Sequence, residues 1–406
     1  MFSTDISTPV LIILGVCLLC AVLGAVVGLR PMRVVARRGR RLARLVQPEQ
    51  TDGKPVPPVS VIIYTKHSQG DISGFIEELS RQEGVEFEMI VVADHSDDKL
   101  HDNTRDAIEG LQAMTEKYPN LKVTFVPRSA RDISVRKLAI TEGIKLASHD
   151  VIVLTDSYIS IPSATWLRQM AAPFADAKID VVIGYNNFTC RDDRGFSRRW
   201  RAFWNMTQGA QWFGTALAGH PYRGDSSNLA FRRQAFYDNK GFASTARLQD
   251  GEDDLFINEI ARPDNTAVVF SPDAMTAKEI PADLYPRLWD RRKERYAFTA
   301  PMLHTGAFAR QGLLSLTLWL SIFCTALAVV MAWPNLLPGC AALGLLILEF
   351  GYVMCVYRRA AKALDSRRLC LSIPLLYLWR PLSHSLYTAR YRRGEAAHLA
   401  SRTGLK

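Results

Sequence analysis

The chain has 406 residues, 48% of them hydrophobic, and 50 Lys and Arg against 40 Asp and Glu, a formal net charge of +10. In a soluble protein that excess would point to nucleic acid; here it clusters beside long apolar runs, where anionic lipid would meet it, and no nucleic-acid partner is expected. Of the seven cysteines, Cys17, Cys20, Cys324, Cys340 and Cys355 fall in those runs, Cys370 lies beside them and only Cys190 is in the middle region; no CxxC pairs with another, which argues against a disulfide framework and against zinc.

Residues 1–9 carry Asp5 and no Lys or Arg, and Val10–Leu29 is an uncharged apolar run long enough to span a bilayer at ~1.5 Å per residue. Arg30, Arg33, Arg37, Arg38, Arg40, Arg41 and Arg44 follow at once. A secretory signal peptide carries its positive charge before the apolar stretch, so 10–29 reads as an uncleaved anchor, with 1–9 extracytoplasmic and the Arg-rich side cytoplasmic. Adjacency to a span disfavours the rival reading of the Arg cluster as a nucleic-acid-binding arm. Residues 30–57, rich in Arg and closing on Pro55 and Pro57, read as a basic linker.

Residues 58–300 are enough for one large domain, and they alternate strand and helix. Strands are expected over Val59–Tyr64, Phe87–Val92, Leu121–Val126, Val151–Leu154 and Asp180–Tyr185, and helices over Ile72–Leu79 and Val135–Leu146. Near-continuous apolar strands separated by helices predict a parallel sheet covered on both faces. Ligands of such sheets bind beyond the carboxyl ends of the strands. Asp94 follows the second strand, Asp156 the fourth, and Arg136 and Lys137 open the helix between. Each alone is equally well a turn-capping Asp or a solvated cation. Neither GxGxxG nor GxxxxGK[ST] occurs. A nucleoside diphosphate would then be held by an acid on the base or ribose, a basic side chain, and a metal bridging the phosphates.

Further on, GEDDLFINE (Gly251–Glu259) puts Asp250, Glu252, Asp253 and Asp254 at the head of a helix whose buried side is Phe256, Ile257 and Ile260. Acids near free N–H groups and the positive end of the helix dipole stay ionised readily. One held there can accept a proton from a hydroxyl; a charged helix cap is the alternative.

Leu313–Trp333 is uncharged, and Leu337–Tyr357 carries only Glu349, with Pro334, Pro338 and Gly339 marking a tight connection. Arg310 precedes this hairpin (311–357), and Arg358, Arg359, Lys362, Arg367 and Arg368 follow it, so both ends read as cytoplasmic. Glu349 near mid-membrane requires protein or water to face. In 358–406, Leu369–Trp379 is short and interrupted. It suggests an interfacial helix with Tyr377, Trp379 and Tyr387 at headgroup level, then a basic cytoplasmic tail through Arg390, Arg392 and Arg393. A fourth span is the alternative.

The middle region resembles the membrane-bound family 2 glycosyltransferases, of bacterial type, inverting and with the GT-A fold. The likeness runs from Val59 to Tyr296 and includes the arrangement of anchors. It implies an α/β fold with a mostly parallel central sheet, plus N-terminal and C-terminal transmembrane helices. VSVIIYTKHSQGDISGFIEELSRQ resembles the family's opening strand and helix, with Thr65 on the donor side. VVADHSDD resembles VVDDGS, which puts Asp94 at the nucleotide base. VRKLAITEG resembles GKxxAL, with Lys137 and Arg136 near the donor phosphates. TDSY stands in the place of DxD, with Asp156 as the metal ligand for Mg²⁺ or Mn²⁺. GDSSNLAFRRQAFYDNKGF resembles the acceptor-side GxxxNxAxR, with Asn228 at its Asn. GEDDLF resembles the ED motif, with Asp253 the favoured base and Glu252 or Asp254 the alternatives.

Two departures stand out. Tyr158 replaces the second Asp of DxD, and a protonated phenol is a poor ligand for a hard cation. The place of QxxRW reads Arg292–Lys293–Glu294–Arg295–Tyr296, which keeps Arg295, offers Arg292 to the donor and loses the Trp. The resemblance thus implies a non-processive enzyme moving a sugar from a nucleotide-diphosphate donor, expected to be a UDP-sugar, to a lipid-linked or glycan acceptor beside membrane lipids. Glycan-assembly proteins are further partners it implies. Alternatives are a catalytically impaired nucleotide-sugar-binding or scaffolding subunit, and a processive polysaccharide synthase; three spans are too few for a transporter.

Overall fold

The computed structural model describes residues 7–42, 55–66, 72–94, 110, 113–126, 134–190, 196–280, 282–333, 336–366, 369 and 372–402. Asp5, Pro334, Arg367, Arg368, Cys370 and residues 43–54 of the expected linker, Arg44 among them, lie outside them. The chain forms two compact units, Met1–Arg41 with Arg194–Ala218 and Thr305–Lys406, and Leu42–Asp193 with Gly219–His304.

The first unit is helical: α1 (Thr8–Leu23), which continues as a π-turn over Gly24–Gly28, and α2 (Arg30–Leu42). The Arg-rich segment is therefore helical in its first half, with Leu29, Met32 and Val35 buried. The other four helices are α6 (Phe196–Leu217), α10 (Ala307–Met331), α11 (Leu336–Ala363) and α12 (Ile373–Arg402). Among the described residues three helices are long and apolar enough to cross a membrane, Thr8–Gly28, Ala307–Met331 and Leu336–Ala363. α12 runs through Pro381 without meeting that measure. Close approach is built from glycine: a Cβ at Gly28 would lie 2.5 Å from the Leu314 Cβ, and one at Gly24 2.9 Å from the Thr317 Oγ1. Glu349 is buried and turned toward Ser321 and Gly24, so it faces protein. The insertion of α6 is a departure from the expected unbroken 58–300 domain. Its Phe203 stacks on Tyr357 at 5.7 Å, and its Gln211 donates to the Ala307 carbonyl at 2.8 Å.

The second unit holds β1 (Val59–Lys66), α3 (Ile72–Ser80), β2 (Phe87–Asp94), β3 (Leu121–Phe125), α4 (Val135–Leu146), β4 (Val151–Asp156), α5 (Trp166–Ala171), β5 (Val181–Ile183) and β6 (Asn186–Thr189). After α6 come β7 (Leu229–Arg232), α7 (Arg233–Asp238), α8 (Asp254–Ile260), β8 (Thr266–Val268), β9 (Thr276–Glu279) and α9 (Tyr285–Thr299). Seven strands form one sheet in the order β3-β2-β1-β4-β7-β5-β8, with β6 and β9 paired separately. All pairings are parallel except those of β7, which runs antiparallel to β4 and β5. The expected mostly parallel sheet is present; the apolar pattern did not mark β7, inside the GDSSNLAFRR segment, nor the short strands β6, β8 and β9.

Alternation along the strands sorts the core. Val59, Val61 and Ile63 point to the side covered by Phe75, Ile76, Trp166, Leu167 and Met170. Each such buried aliphatic contributes about 1.5–3 kcal/mol. Ile62 points to the other side, where α4 comes so close that a Cβ at Gly143 would lie 2.7 Å from its Cγ2. This core holds β1, β2 and β4 in register, with Tyr64 opposite Asp156 and Lys66 opposite Asp94. Thr65, Asp94 and Asp156 thereby end up along one edge of the sheet.

Candidate active site

Asp156 is the last residue of β4, buried, with both carboxylate oxygens engaged. Oδ1 accepts from Arg136 Nη2 at 2.7 Å and Oδ2 from the Ser227 hydroxyl at 2.6 Å. Burial opposes its charge, but Arg136, Lys278 and Ser227 outweigh that and draw the carboxyl down to about 2. Ser227 also donates its N–H to Asp225 Oδ1 at 3.1 Å, so one serine ties two carboxylates together. Asp225 Oδ2 accepts from Arg292 at 2.9 Å.

Arg136 links this edge to the acid cluster. Its Nη2 also donates to Ser226 at 2.8 Å, and its Nε lies 2.8 Å from Glu252 Oε1. The neighbouring Lys137 behaves differently. It is 1% exposed, and its ammonium donates to the carbonyls of Thr245, Leu248 and Asp250 at 2.6, 3.0 and 2.9 Å. The expected phosphate contact is thus a brace under the loop that carries the acids. The loop then turns at Gly251, whose φ of +102° suits glycine and where a Cβ would lie 2.5 Å from Leu255.

The three acids at the head of α8 are held in three ways. Asp254 is buried, and its Oδ2 accepts from Arg223 and Thr299. Glu252, 1% exposed, gives Oε1 to Arg295 at 2.9 Å, while its buried Oε2 has no hydrogen-bond partner among the described residues. Asp253 caps α8 through Oδ1, which accepts from the Asp254 N–H at 2.8 Å. Its Oδ2 has only long contacts, to the Ser226 N–H and Arg295, both at 3.4 Å. Burial and the Asp253 charge push the Glu252 carboxyl up, although Arg295 and Arg136 oppose them. At Asp253 burial acts the same way, but Arg295, Arg223 and Arg136 outweigh it and hold the carboxyl below its usual range. The two adjacent acids are thereby shifted in opposite directions, Glu252 up and Asp253 down. Beneath them Phe256 packs edge-on to Phe231 and Phe242, at 5.1 and 5.4 Å, fixing α8 on the sheet.

Arg292, Arg295, Tyr296 and Thr299 recur at helical spacing on α9, which brings them to one face. Tyr296 lies 3.6 Å beneath the Arg223 guanidinium. Asn228 is fully buried: it accepts from Trp166 Nε1 at 3.0 Å and donates to the carbonyls of Tyr185 and Ala274 at 2.9 and 2.8 Å. It braces the interior and does not line an acceptor site, a correction to its expected place. The Asp94 side chain lies outside the described set, and Thr65 is buried at the end of β1.

Residues 60–238 match the family model of Glycosyl transferase family 2. That segment is a family 2 glycosyltransferase domain. With the strand order above, the match bears out the fold class expected. The matched segment ends before Gly251–Glu259 and before α9, so the reading of those residues rests on their geometry. No curated protein sequence matches the chain. Among solved structures, the mannosyltransferase PcManGT from Pyrobaculum calidifontis, in complex with GDP-Man and Mn2+, is 19% identical over 85% of this chain and 99% of its own, with a TM-score of 0.47. S. aureus TarS 1-349 with UDP-GlcNAc is 18% identical over 83% of this chain and 92% of its own, TM-score 0.39. Mycobacterium tuberculosis glucosyl-3-phosphoglycerate synthase, with Mn2+, UDP-Glc and phosphoglyceric acid, is 19% identical over 47% and 64%, TM-score 0.31.

The glycosyltransferase domain offers a divalent cation a poor seat. Such an ion takes carboxylate oxygens alongside phosphates and water. Both oxygens of Asp156 already serve Arg136 and Ser227. Burial and the Asp156 charge keep the Tyr158 phenol protonated, and the Lys278 ammonium lies 3.3 Å from the centre of its ring. Among the described residues no three acids, histidines or cysteines converge to hold a metal. The described residues therefore do not fit Mg²⁺ or Mn²⁺. Sequence reasoning passed over Arg223, Asp225, Ser226, Ser227 and Lys278. The first four sit in one segment, PYRGDSSN, whose polar density was a readable signal; a lone Lys on the four-residue β9 gave none.

Proposed function

We propose that this chain is a membrane-bound inverting glycosyltransferase that moves one sugar per encounter from a nucleotide-diphosphate donor to a lipid-linked or glycan acceptor, in envelope glycan or glycolipid synthesis. The observation that carries the reading is Asp253: of the three acids it alone has its carboxyl held below the usual range, and one of its oxygens has only long contacts. The acceptor hydroxyl gives its proton to Asp253 Oδ2 while its oxygen attacks the anomeric carbon. The bond from that carbon to the diphosphate breaks on the opposite face, and its electron pair leaves with the diphosphate. Positioning the two oxygens in line is the main contribution of such a site. Arg295 and Arg136, already on Glu252, hold the acids in place. Thr65 and Asp94, at the ends of β1 and β2, are assigned in this reading to the base and ribose.

Single transfer is supported by Tyr296, whose ring face is covered by Arg223 and is not open to stack on a sugar. The flanking basic segments favour 1–9 outside and the catalytic domain in the cytoplasm, with α12 at the interface. A cysteine introduced at Ser3 should then react with an impermeant thiol reagent on intact cells, and one at Lys178 should not; the reverse pattern refutes this orientation.

The test of activity is nucleotide release by the purified protein in nanodiscs, over a panel of UDP- and GDP-sugars with membrane lipid extract as acceptor. Release that depends on acceptor is expected from one donor. A protein that binds a donor yet never releases nucleotide fits the second reading, a scaffolding subunit, which Tyr158 and the placement of Lys137 favour.

A further inference from the structure

We infer that this domain holds the donor diphosphate with its own cations, Arg136, Arg292 and Lys278, in the place of a divalent metal; the inference rests on the donor reading above. The three converge from α4, α9 and β9 on two carboxylates, Asp156 and Asp225. Arg136 pairs with the first at 2.7 Å and Arg292 with the second at 2.9 Å, and Ser227 bonds both acids. Lys278 has no carboxylate within ion-pair distance among the described residues. Its ammonium rests on the Tyr158 ring at 3.3 Å and 5.8 Å from the Phe188 centroid.

Arg136 also reaches Glu252 at 2.8 Å, so the two arginines are matched by Asp156, Asp225 and Glu252, and Lys278 is the cation left without an anion, in surroundings where charges interact more strongly than in water. A divalent cation would find the carboxylates here already engaged, whereas a diphosphate would supply the anion Lys278 lacks. Burial and the nearby Arg136 and Arg292 draw Lys278 down to about 7, in spite of Asp156 and Asp225, as expected of a cation lacking its anion. Arg136 engages Asp156, Ser226 and Glu252 through Nη2 and Nε, which fixes its guanidinium at this corner. Tyr158 then has two effects through one residue. It removes the carboxylate a metal would need, and it supplies the aromatic face on which Lys278 sits. As the bond to the anomeric carbon breaks, the charge that gathers on the leaving diphosphate meets fixed cations.

The test is titration of the full chain in nanodiscs with UDP and with GDP, each in EDTA and in excess Mn²⁺. The nucleotide that binds should do so with the same affinity in both media. Lys278→Ala should weaken it about tenfold or more, the loss expected for one charge-assisted contact, and should weaken UMP or GMP less. Lys278→Arg should retain most of the affinity, which separates charge from folding. Tyr158→Asp should make Mn²⁺ tighten binding. Affinity of the unaltered protein that rises about tenfold with Mn²⁺ and collapses in EDTA overturns the inference while leaving the donor reading intact. Equal loss of diphosphate and monophosphate in Lys278→Ala also overturns it. Binding of neither nucleotide in either medium refutes the donor reading, and this inference with it.

Discussion

The two ends of the parallel strands carry buried polar nests of opposite design. At the N-terminal end Glu88 of β2 is saturated: Oε1 accepts from Ser60 at 2.6 Å and from the Ser148 N–H, Oε2 from Lys122 at 2.7 Å and from the Ser148 hydroxyl. At the C-terminal end the accounts stay open. Glu252 has an oxygen without a partner, Asp253 one with long contacts only, and Lys278 no carboxylate partner among the described residues. Both ends bury charge and pair it at similar distances, so pairing does not separate a structural nest from a working one. What separates them is the donor or acceptor left over, since a buried polar group without a partner is stable only where something else completes it.

The sharpest way to break this comparison is Asp253→Asn. It keeps the size and the cap on α8 but cannot take a proton. Turnover should fall by roughly 10²–10⁴-fold with donor affinity little changed. Asp254→Asn, by contrast, alters a closed pair with Arg223 and Thr299. It should show chiefly as lost stability, up to about 3–5 kcal/mol, the range for breaking a buried ion pair. Turnover and thermal midpoints of both variants decide the matter. Near-normal turnover in Asp253→Asn, or a larger catalytic than structural effect in Asp254→Asn, would reverse the two assignments.

Lys137 sharpens the comparison next, because it lies near the open end and belongs to the closed kind. Lys137→Met removes three charged donors from three carbonyls and should destabilise by about 2–3 kcal/mol. Its ammonium touches only backbone, so whatever affinity is lost should be lost alike for UDP and UMP. A loss confined to the diphosphate would put Lys137 back at the phosphates and weaken the case for Lys278.

The contrast between the ends also explains what was legible in the sequence. Apolar runs report burial directly, so β1, β2, β3, β4, α3 and α4 could be read with ends shifted by at most two residues, and the three long apolar helices with ends shifted by up to six. The place of Asp94 and Asp156 followed from strand polarity alone. β7 stayed hidden because its four residues are followed directly by Arg233, and its antiparallel direction is a property of pairing, not of pattern. The roles of Lys137 and Asn228 were misread because a motif names a position and not the direction of a side chain. Lys137 turns toward Thr245, Leu248 and Asp250, more than a hundred residues away, and no local spacing carries that information.

The smallest expected effect belongs to the closed nest itself. Burial resists ionisation of Glu88, but Lys122, the Ser60 hydroxyl and the Ser148 N–H outweigh it and draw the carboxyl to about 2, below its ordinary 4.5. A carboxyl whose folded-state value is depressed adds stability above its unfolded value and loses that contribution as the pH falls toward the folded one. The contribution should therefore be complete at neutral pH, decline below about pH 4.5, and vanish near pH 2. Lys122 is partly exposed and screened by solvent, which limits the nest to about 1–2 kcal/mol. Glu88→Gln should accordingly lower the thermal midpoint at pH 7 and approach the unaltered protein only as the pH falls to about 2, with nucleotide affinity unchanged throughout. A pH-independent difference would mean that Glu88 acts through packing and not charge. A loss of nucleotide affinity would mean that this end of the sheet is not closed after all.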